Sequence, residues 1–322
     1  MSEISAKYAL VTVPLALNGY TYRIPAGMPA GAGSLVRVSL GKTRYYNGVI
    51  TSVSDQAPQG GFAIKDIAEL LVPGLVSPQQ LELWRWVSFY YHCSMGEVLK
   101  AALPSCLLAN TYHGLADTWY DLGQGDGARL SAPAQAVLGE LSALHPQRRS
   151  DLLLHAGVSS LQTLLKHGYI TELSLQRSRF EKRPPSQGHI RLTEAQETAC
   201  AEIRQGFTQP KPVLLHGVAS SGKTEIYMQL VSECVAQGKK ALVLVPEIAL
   251  TTQLAQRFEA LFGDSFIAYH SKLSEEERSE IYQDLACGSR FKVVLGVRSA
   301  LFLPWKDLGL LVVDEEQESS YK

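Results

Sequence analysis

The spacing of apolar positions changes period along the chain and divides it into regions. In the first hundred residues, β-branched and aromatic residues form short runs at 8–13, 20–24, 34–40, 46–53 and 64–72. Asn18-Gly19, Pro25, Gly27, Gly31-Ala32-Gly33, Gly41 and Gly60-Gly61 punctuate them. Short runs bounded by turn residues predict a small antiparallel β unit, barrel-like in outline. The period then lengthens. Ser77-Pro78 supplies an N-cap and a first-turn proline. Leu81, Trp84, Val87 and Tyr91 follow on one helical face. Ser94-Met95-Gly96-Glu97 is a capping box for a shorter helix ending near Pro104. The cluster Trp84, Trp86, Tyr90, Tyr91 and His92 reads as core and helix-face packing ahead of base stacking.

From 105 to 190 the pattern is mixed. Gly123-Gln124-Gly125-Asp126-Gly127 marks a loop, and 133–144 a helix with Ala136, Val137, Leu141 and Leu144 apolar. A short helix over 148–154, a Gly/Ser turn, a second helix ending in Gly168 and a strand over 169–175 follow. That is the order of a winged helix. Such domains bind duplex DNA or serve as protein-interaction modules, and both readings stay open. Residues 176–188 form a basic, proline-containing linker, read as solvated. Its Arg177, Arg179, Lys182 and Arg183 are alternative phosphate contacts.

From 191 the chain alternates strand and helix. Thr193 and Gln196 fit a capping box. Strands are predicted at 213–216, 241–246, 266–271, 292–297 and 308–313. Helices are predicted after Lys223 and at 252–262 and 275–286, the last capped by Ser274-Glu275-Glu276-Glu277. This alternation predicts a mostly parallel sheet covered on both faces. The expected fold is multidomain. It comprises a β-rich domain over 1–105, a winged helix over 106–176, a linker over 177–190 and an α/β lobe over 191–322.

Composition narrows the function classes. The 322 residues suit two or three domains, with 46% hydrophobic and 19% charged residues. Net charge is −1, so any DNA contact must come from local patches or aromatic pockets. On composition alone Lys42, Arg44 and Lys65 read as solvated surface charge. The five cysteines are scattered without a Cys-x-x-Cys pair, which supports neither a disulfide framework nor a zinc knuckle. They read as buried small residues in a reducing cytoplasm. The first residues lack a signal-peptide pattern, and no apolar run approaches membrane-spanning length. No membrane partner is expected.

The chemistry concentrates in Gly217-Val218-Ala219-Ser220-Ser221-Gly222-Lys223-Thr224, a phosphate-binding loop pattern. Gly217, Ser220, Ser221, Gly222, Lys223 and Thr224 are expected to hold ATP. Backbone N–H groups and a helix N-terminus would surround the phosphates. Lys223 would reach the β- and γ-phosphates, and Thr224 would ligate Mg²⁺. About ninety residues on, Asp314 and Glu315 follow an apolar strand, where ligand sites of open α/β sheets lie. Asp314 is expected to hold Mg²⁺ and Glu315 to polarise the attacking water. Lys223, Asp314 and Glu315 are the catalytic candidates. Gln196 has two readings, a helix cap and an adenine contact. Gln317 could couple nucleotide to DNA.

These motifs, with Val245-Pro246-Glu247-Ile248-Ala249-Leu250-Thr251, His270-Ser271, Gly296-Val297-Arg298-Ser299-Ala300-Leu301-Phe302 and the closing Asp-Glu-Glu-Gln-Glu-Ser-Ser-Tyr-Lys, resemble those of superfamily 2 DNA helicases. The chain most resembles the bacterial replication restart helicases, the primosomal protein N-prime (PriA) family. Pro14-Leu15, 20–25, Gly27-Met28, 36–38, Gly41-Lys42 and Ala101-Ala102-Leu103-Pro104 resemble that family's amino-terminal domain. The resemblance implies binding of a nascent-strand 3′ end, with Tyr20, Thr21, Gly41 and Lys65 on pocket positions and Arg298 at DNA. It also implies an ATP-dependent 3′-to-5′ helicase that recognises stalled forks and promotes primosome assembly. Forked and single-stranded DNA, single-stranded DNA-binding protein and other primosome proteins are the implied partners, in the cytoplasm at the nucleoid.

Four departures stand out. Thr21 replaces a frequent Asp, Val297 a usual Thr, Gln317 a usual His, and Ser220 the first Gly of Gly-Ser-Gly-Lys-Thr. The chain ends just after the acids, before the family's second motor lobe, arginine finger and zinc site. It is therefore expected to be an amino-terminal fragment with an incomplete RecA-like lobe, no zinc site and no unwinding activity. Two alternatives are a non-catalytic fork-DNA-binding module and another superfamily 2 translocase.

Overall fold

The computed structural model describes residues 7–41, 43–58, 63–110, 112, 118–143, 146–148, 152, 158–174, 180, 183–186, 190–218, 221–247, 252–288 and 290–321. Lys42, Ser220, Arg177, Arg179, Lys182, 248–251 and most of 149–157 lie outside them. The chain forms two compact units, 113–179 in one and the residues on either side of that stretch in the other.

In the larger unit, β1 (Lys7–Thr12), β2 (Tyr20–Ile24), β3 (Leu35–Leu40), β4 (Arg44–Ser54) and β5 (Glu69–Val72) pair antiparallel in the order β2-β1-β4-β3-β5. Alternation puts Ala9, Val11, Tyr22, Ile24, Val36, Val38 and Ile50 into one core. The sheet curls toward closure through the segment before β5. Arg23 N–H donates to Lys65 O at 2.8 Å, Ile67 N–H to Arg23 O at 3.0 Å and Ala68 N–H to Arg37 O at 2.9 Å. The barrel-like outline is therefore real, although only 69–72 of the predicted strand at 64–72 forms β5, and the residues ahead of it join through an isolated bridge between Asp66 and Arg23.

Two helices cross the barrel, α1 (Pro78–Tyr90) and α2 (Met95–Ala102), each with a complete Ser capping box. Leu81 and Trp84 are buried. The expectation of core and helix-face packing holds for Trp84, which is buried, while the rest of the aromatic cluster stays outside the core. Trp86, Phe89, Tyr90 and Tyr91 are 54–77% exposed, and Trp86 stacks on Tyr90 at 4.9 Å. A rotation of about 100° per residue turns Trp86 and Tyr90 away from the Trp84 face.

α3 (Ser105–Leu108) ends this region. The smaller unit holds β6 (Thr118–Leu122), α4 (Ala132–Ala143), β7 (Gln147–Arg148), α5 (Val158–Lys166) and β8 (Ile170–Ser174). Its antiparallel sheet runs β7-β6-β8, with Tyr120, Val137, Leu141, Leu161, Leu164 and Ile170 in its core. The pattern at 118–122 had not marked β6, whose strand character comes from pairing with β8.

The lobe contains α6 (Glu194–Gly206), α7 (Lys223–Ala236), β9 (Lys240–Leu244), α8 (Thr252–Phe262), β10 (Phe266–Tyr269), α9 (Glu275–Cys287), β11 (Val293–Gly296), a 3₁₀ turn (Arg298–Phe302) and β12 (Leu308–Val313). Its four strands are parallel, in the order β10-β11-β9-β12. Two expectations fail here. Residues 213–216 do not form a strand, and Leu214 is 74% exposed. An apolar run becomes a strand only where a neighbour accepts its ladder, and none of the described strands does so. Nor is the sheet covered on both faces throughout, since Leu311 and Val313 of β12 stand exposed.

Candidate functional site

α7 starts at Lys223 with Gly222 as its N-cap, in the left-handed region at φ 85°. The left-handed φ favours glycine, and a Cβ on Gly222 would stand 2.2 Å from Gln196 Nε2, so that side-chain end would have to shift. No side chain caps the helix, which leaves its first-turn N–H groups toward the loop. Lys223 Nζ folds back and donates to Gly217 O at 2.8 Å and Val218 O at 3.1 Å. Ser221 is exposed, with its N–H on Val218 O at 3.3 Å. Both ends of the Gln196 amide are in use. Oε1 accepts from Thr193 N–H at 2.8 Å, and Nε2 donates to Gly222 O at 3.2 Å. The capping reading of Gln196 thus holds, and the same side chain bolts α6 to the loop.

The acids lie across from the loop. β12 continues the ladder through Asp314 N–H, which donates to Leu244 O at 2.9 Å. The Tyr227 hydroxyl sits 3.3 Å from Thr224 Oγ1 and 3.2 Å from Asp314 Oδ2. Burial raises the Tyr227 pKa well above the phenol range, so the group stays protonated and can donate to Asp314. One hydroxyl therefore joins the loop threonine to the strand-end acid. Glu315 has φ 50°, an uncommon conformation for a side-chain-bearing residue, in the turn that aims the acids. Its Oε2 accepts from Gln317 Nε2 at 2.5 Å. Tyr321 O–H donates to Asp314 O at 3.0 Å, and burial, then the Asp314 charge, push its pKa up to about 12.

Residues that sequence reasoning missed are Tyr227 and Tyr321. Tyr227 had a signal, since Thr224 and Tyr227 are three apart on one helix and share a face. The donors fit a magnesium nucleotide: a hydroxyl and a carboxylate for a hard cation, a lysine and free helix N–H groups for phosphate. Nearby, Ser271 O–H donates to the Glu247 carboxylate, which joins two separated motifs. His270 beside them is half-buried. Burial, then the Lys272 charge, lower its pKa and favour the neutral ring. Arg298 lies exposed at the start of the 3₁₀ turn.

The residues expected at a 3′-end pocket cluster only in part. Lys65 Nζ donates to Gly41 O. Gly41 has φ 71° in the turn between β3 and β4. Tyr20 opens β2, is 38% exposed and pairs with Val11. Tyr22, on the same strand face, sends its hydroxyl to Ser39 O at 3.0 Å, two residues before Gly41. Alternation along β2 puts Tyr20 and Thr21 on opposite faces of the sheet, so the two do not share one pocket wall. A cavity of about 440 Å³ opens beside that turn, lined by Arg37, Thr43, Arg44, Tyr45, Tyr46 and Asn110.

Comparison with known proteins supplies the family. Residues 10–104 match the family model for the PriA 3′ DNA-binding domain, and residues 193–322 that for DEAD/DEAH box helicases. The replication restart protein PriA of Synechocystis is 29% identical over 97% of this chain and 47% of its own length. That of Chlamydia muridarum is 32% identical over 98% of this chain and 44% of its own length. The chain is PriA-like. It spans less than half the length of these two relatives. That of Helicobacter pylori is 44% identical over a shorter stretch, 41% of the chain and 20% of its own length.

In this PriA-like chain the barrel, α1 and α2 are the segment similar to a 3′ DNA-binding domain. The phosphate loop, the acids and the 3₁₀ turn belong to the segment similar to a helicase. No described helix is long and apolar enough to cross a membrane.

Proposed function

We propose that this chain carries the end-recognition and ATP-binding parts of an ATP-dependent 3′-to-5′ DNA helicase that restarts replication at stalled forks. The observation that carries the reading is the bridge from Thr224 through Tyr227 to Asp314, which holds the two halves of a phosphate site together. Bound Mg²⁺-ATP supplies the phosphoanhydride and the cation that offsets its charge. The protein's residues do the rest. Lys223 leaves the Gly217 and Val218 carbonyls for the phosphates. Thr224 and Asp314, which Tyr227 now joins, would hold the cation. Glu315 orients the attacking water, and Gln317, already on Glu315, relays DNA occupancy. Gln196 holds the loop and offers the adenine contact once displaced. Gly217, Ser220, Ser221 and Gly222 line the phosphates, and Arg298 meets the DNA backbone.

Titration with a fluorescent ATP analogue tests this. The chain is expected to bind nucleotide weakly and in a Mg²⁺-dependent way, and Lys223→Ala to weaken that binding by about ten- to a hundredfold. It is expected to unwind nothing by itself. DNA-stimulated turnover at the rate of a complete helicase would overturn that last statement.

A second reading, a fork-DNA-binding module, is favoured by the contact of Lys65 with Gly41. It predicts a preference for a 3′-hydroxyl over a 3′-phosphate end, and equal affinities would sink it. Another superfamily 2 translocase is disfavoured by the amino-terminal match. Forked and single-stranded DNA are the proposed partners, with single-stranded DNA-binding protein and primosome proteins at the nucleoid. The match of residues 10–104 to a 3′ DNA-binding domain supports DNA as a partner.

A further inference from the structure

Gln80 occupies the N3 position of α1, in the segment similar to a 3′ DNA-binding domain, and is 4% exposed. Its Oε1 accepts from Ser77 N–H at 3.2 Å and completes the capping box. A cap needs nothing more, and Glu would serve equally. The Nε2 group instead leaves the domain. It donates to Phe302 O at 2.9 Å and to Leu303 O at 2.8 Å. These carbonyls end the 3₁₀ turn that begins with Arg298, in the helicase-like segment. Carbonyls at the end of such a turn have no partner within it. Gln80 donates to both of them through Nε2, and Leu303 O also accepts from Trp305 N–H at 2.8 Å.

The linkage is continuous on the other side. Arg85 on α1 donates to Thr51 O of β4 at 2.8 Å, which ties the helix to the barrel. A second contact lies at α3. Ser105 N–H and O–H donate to Glu275 Oε2 at 2.7 and 2.8 Å, and Cys106 Sγ–H donates to Glu275 O at 3.2 Å.

We infer that Gln80 is a positioning residue that fixes the 3₁₀ turn carrying Arg298 at a set distance from the 3′-end pocket, so that one forked DNA engages both at once. This inference rests on the DNA-binding function proposed above. Two sites held rigidly apart bind a ligand that spans them more tightly than either binds alone, because the second contact is intramolecular. Loosening Gln80 removes that gain without touching either site.

Gln80→Glu separates the roles. It keeps the capping oxygen and replaces both N–H donors with an oxygen facing two carbonyls. Amide exchange at 298–303 is expected to accelerate in this variant. Its affinity for a fork with a 3′-hydroxyl end is expected to fall on the order of tenfold. Affinity for a short 3′-hydroxyl oligonucleotide that fills only the pocket stays unchanged. Ser105→Ala, which leaves α1 intact, shifts fork affinity in the same direction by less.

Unchanged exchange at 298–303 would overturn the inference, because Gln80 would then not hold the turn. So would faster exchange with fork affinity intact. An equal fall on both DNAs would reduce Gln80 to a folding residue. The unmodified chain separates the underlying reading from this one. If it binds 3′-hydroxyl and 3′-phosphate oligonucleotides equally, the end-binding function fails before any variant is compared.

Discussion

The two candidate sites of the larger unit are built in opposite ways. The 3′-end pocket stands on a sheet whose strands are paired on both sides around most of the barrel, and Gly41 and Lys65 already touch. The phosphate loop stands on 212–218, an extended stretch outside every sheet of the described residues. Its lysine is folded onto its own carbonyls. The first candidate site stands on a scaffold that its own strand ladders hold. The second must exchange internal hydrogen bonds for ligand contacts, so part of its binding energy goes into rearrangement.

Amide exchange should break or sharpen this contrast most strongly. Amides of β1 and β4 should open only with the whole unit, which for about 5 kcal/mol slows exchange more than a thousandfold. Those of 212–218 should exchange nearly unprotected. Equal protection in the two stretches would erase the comparison.

The next effect is on nucleotide. Lys223→Ala removes a charge-assisted contact worth roughly 1.5–3 kcal/mol, about ten- to a hundredfold in affinity. Titration with the fluorescent analogue reads it, and end-dependent DNA binding should not change. A smaller loss follows for Gly222→Ala, which forces a Cβ into the left-handed region at a cost of about 1 kcal/mol and against Gln196. Its signature is a lower melting temperature for the lobe, together with weaker nucleotide binding.

The smallest effect concerns pH and the join between the regions. Burial acts to raise the Glu275 pKa, but the Ser105 hydroxyl and amide and the Arg278 charge outweigh it and leave it below the usual 4.5. A depressed carboxyl stabilises the fold above its unfolded pKa and loses that contribution as pH falls through the folded one. The contact between α3 and α9 should therefore hold at neutral pH and weaken only below about pH 4.5. Its acid midpoint, followed by amide exchange near 105–106, should move up in Ser105→Ala.

Local chemistry was legible in the sequence because its causes are local. Ser77, Ser94, Thr193 and Ser274 each announce a helix within four residues, and all four form complete capping boxes. The glycines and lysine of 217–224 announce a loop at a helix start in the same way, and α7 begins at Lys223. Periodicity set the first four strands of the barrel and β9 to β12 nearly to their ends, but began the fifth barrel strand five residues early. What depends on a distant partner was not legible. The run at 213–216 looks like a strand, but a strand requires a neighbour, which no local pattern supplies. Trp86 and Tyr90 carry core-like side chains, and only the packing of Trp84 beneath them decides that they face outward. The Tyr227 bridge joins residues 87 apart, and the Gln80 link joins residues more than 220 apart. The sequence determined which segments turn, coil and cap. The tertiary structure alone decided which donors meet which carbonyls across the chain, because a hydrogen bond depends on ångström-scale distance and direction that separation in sequence does not encode.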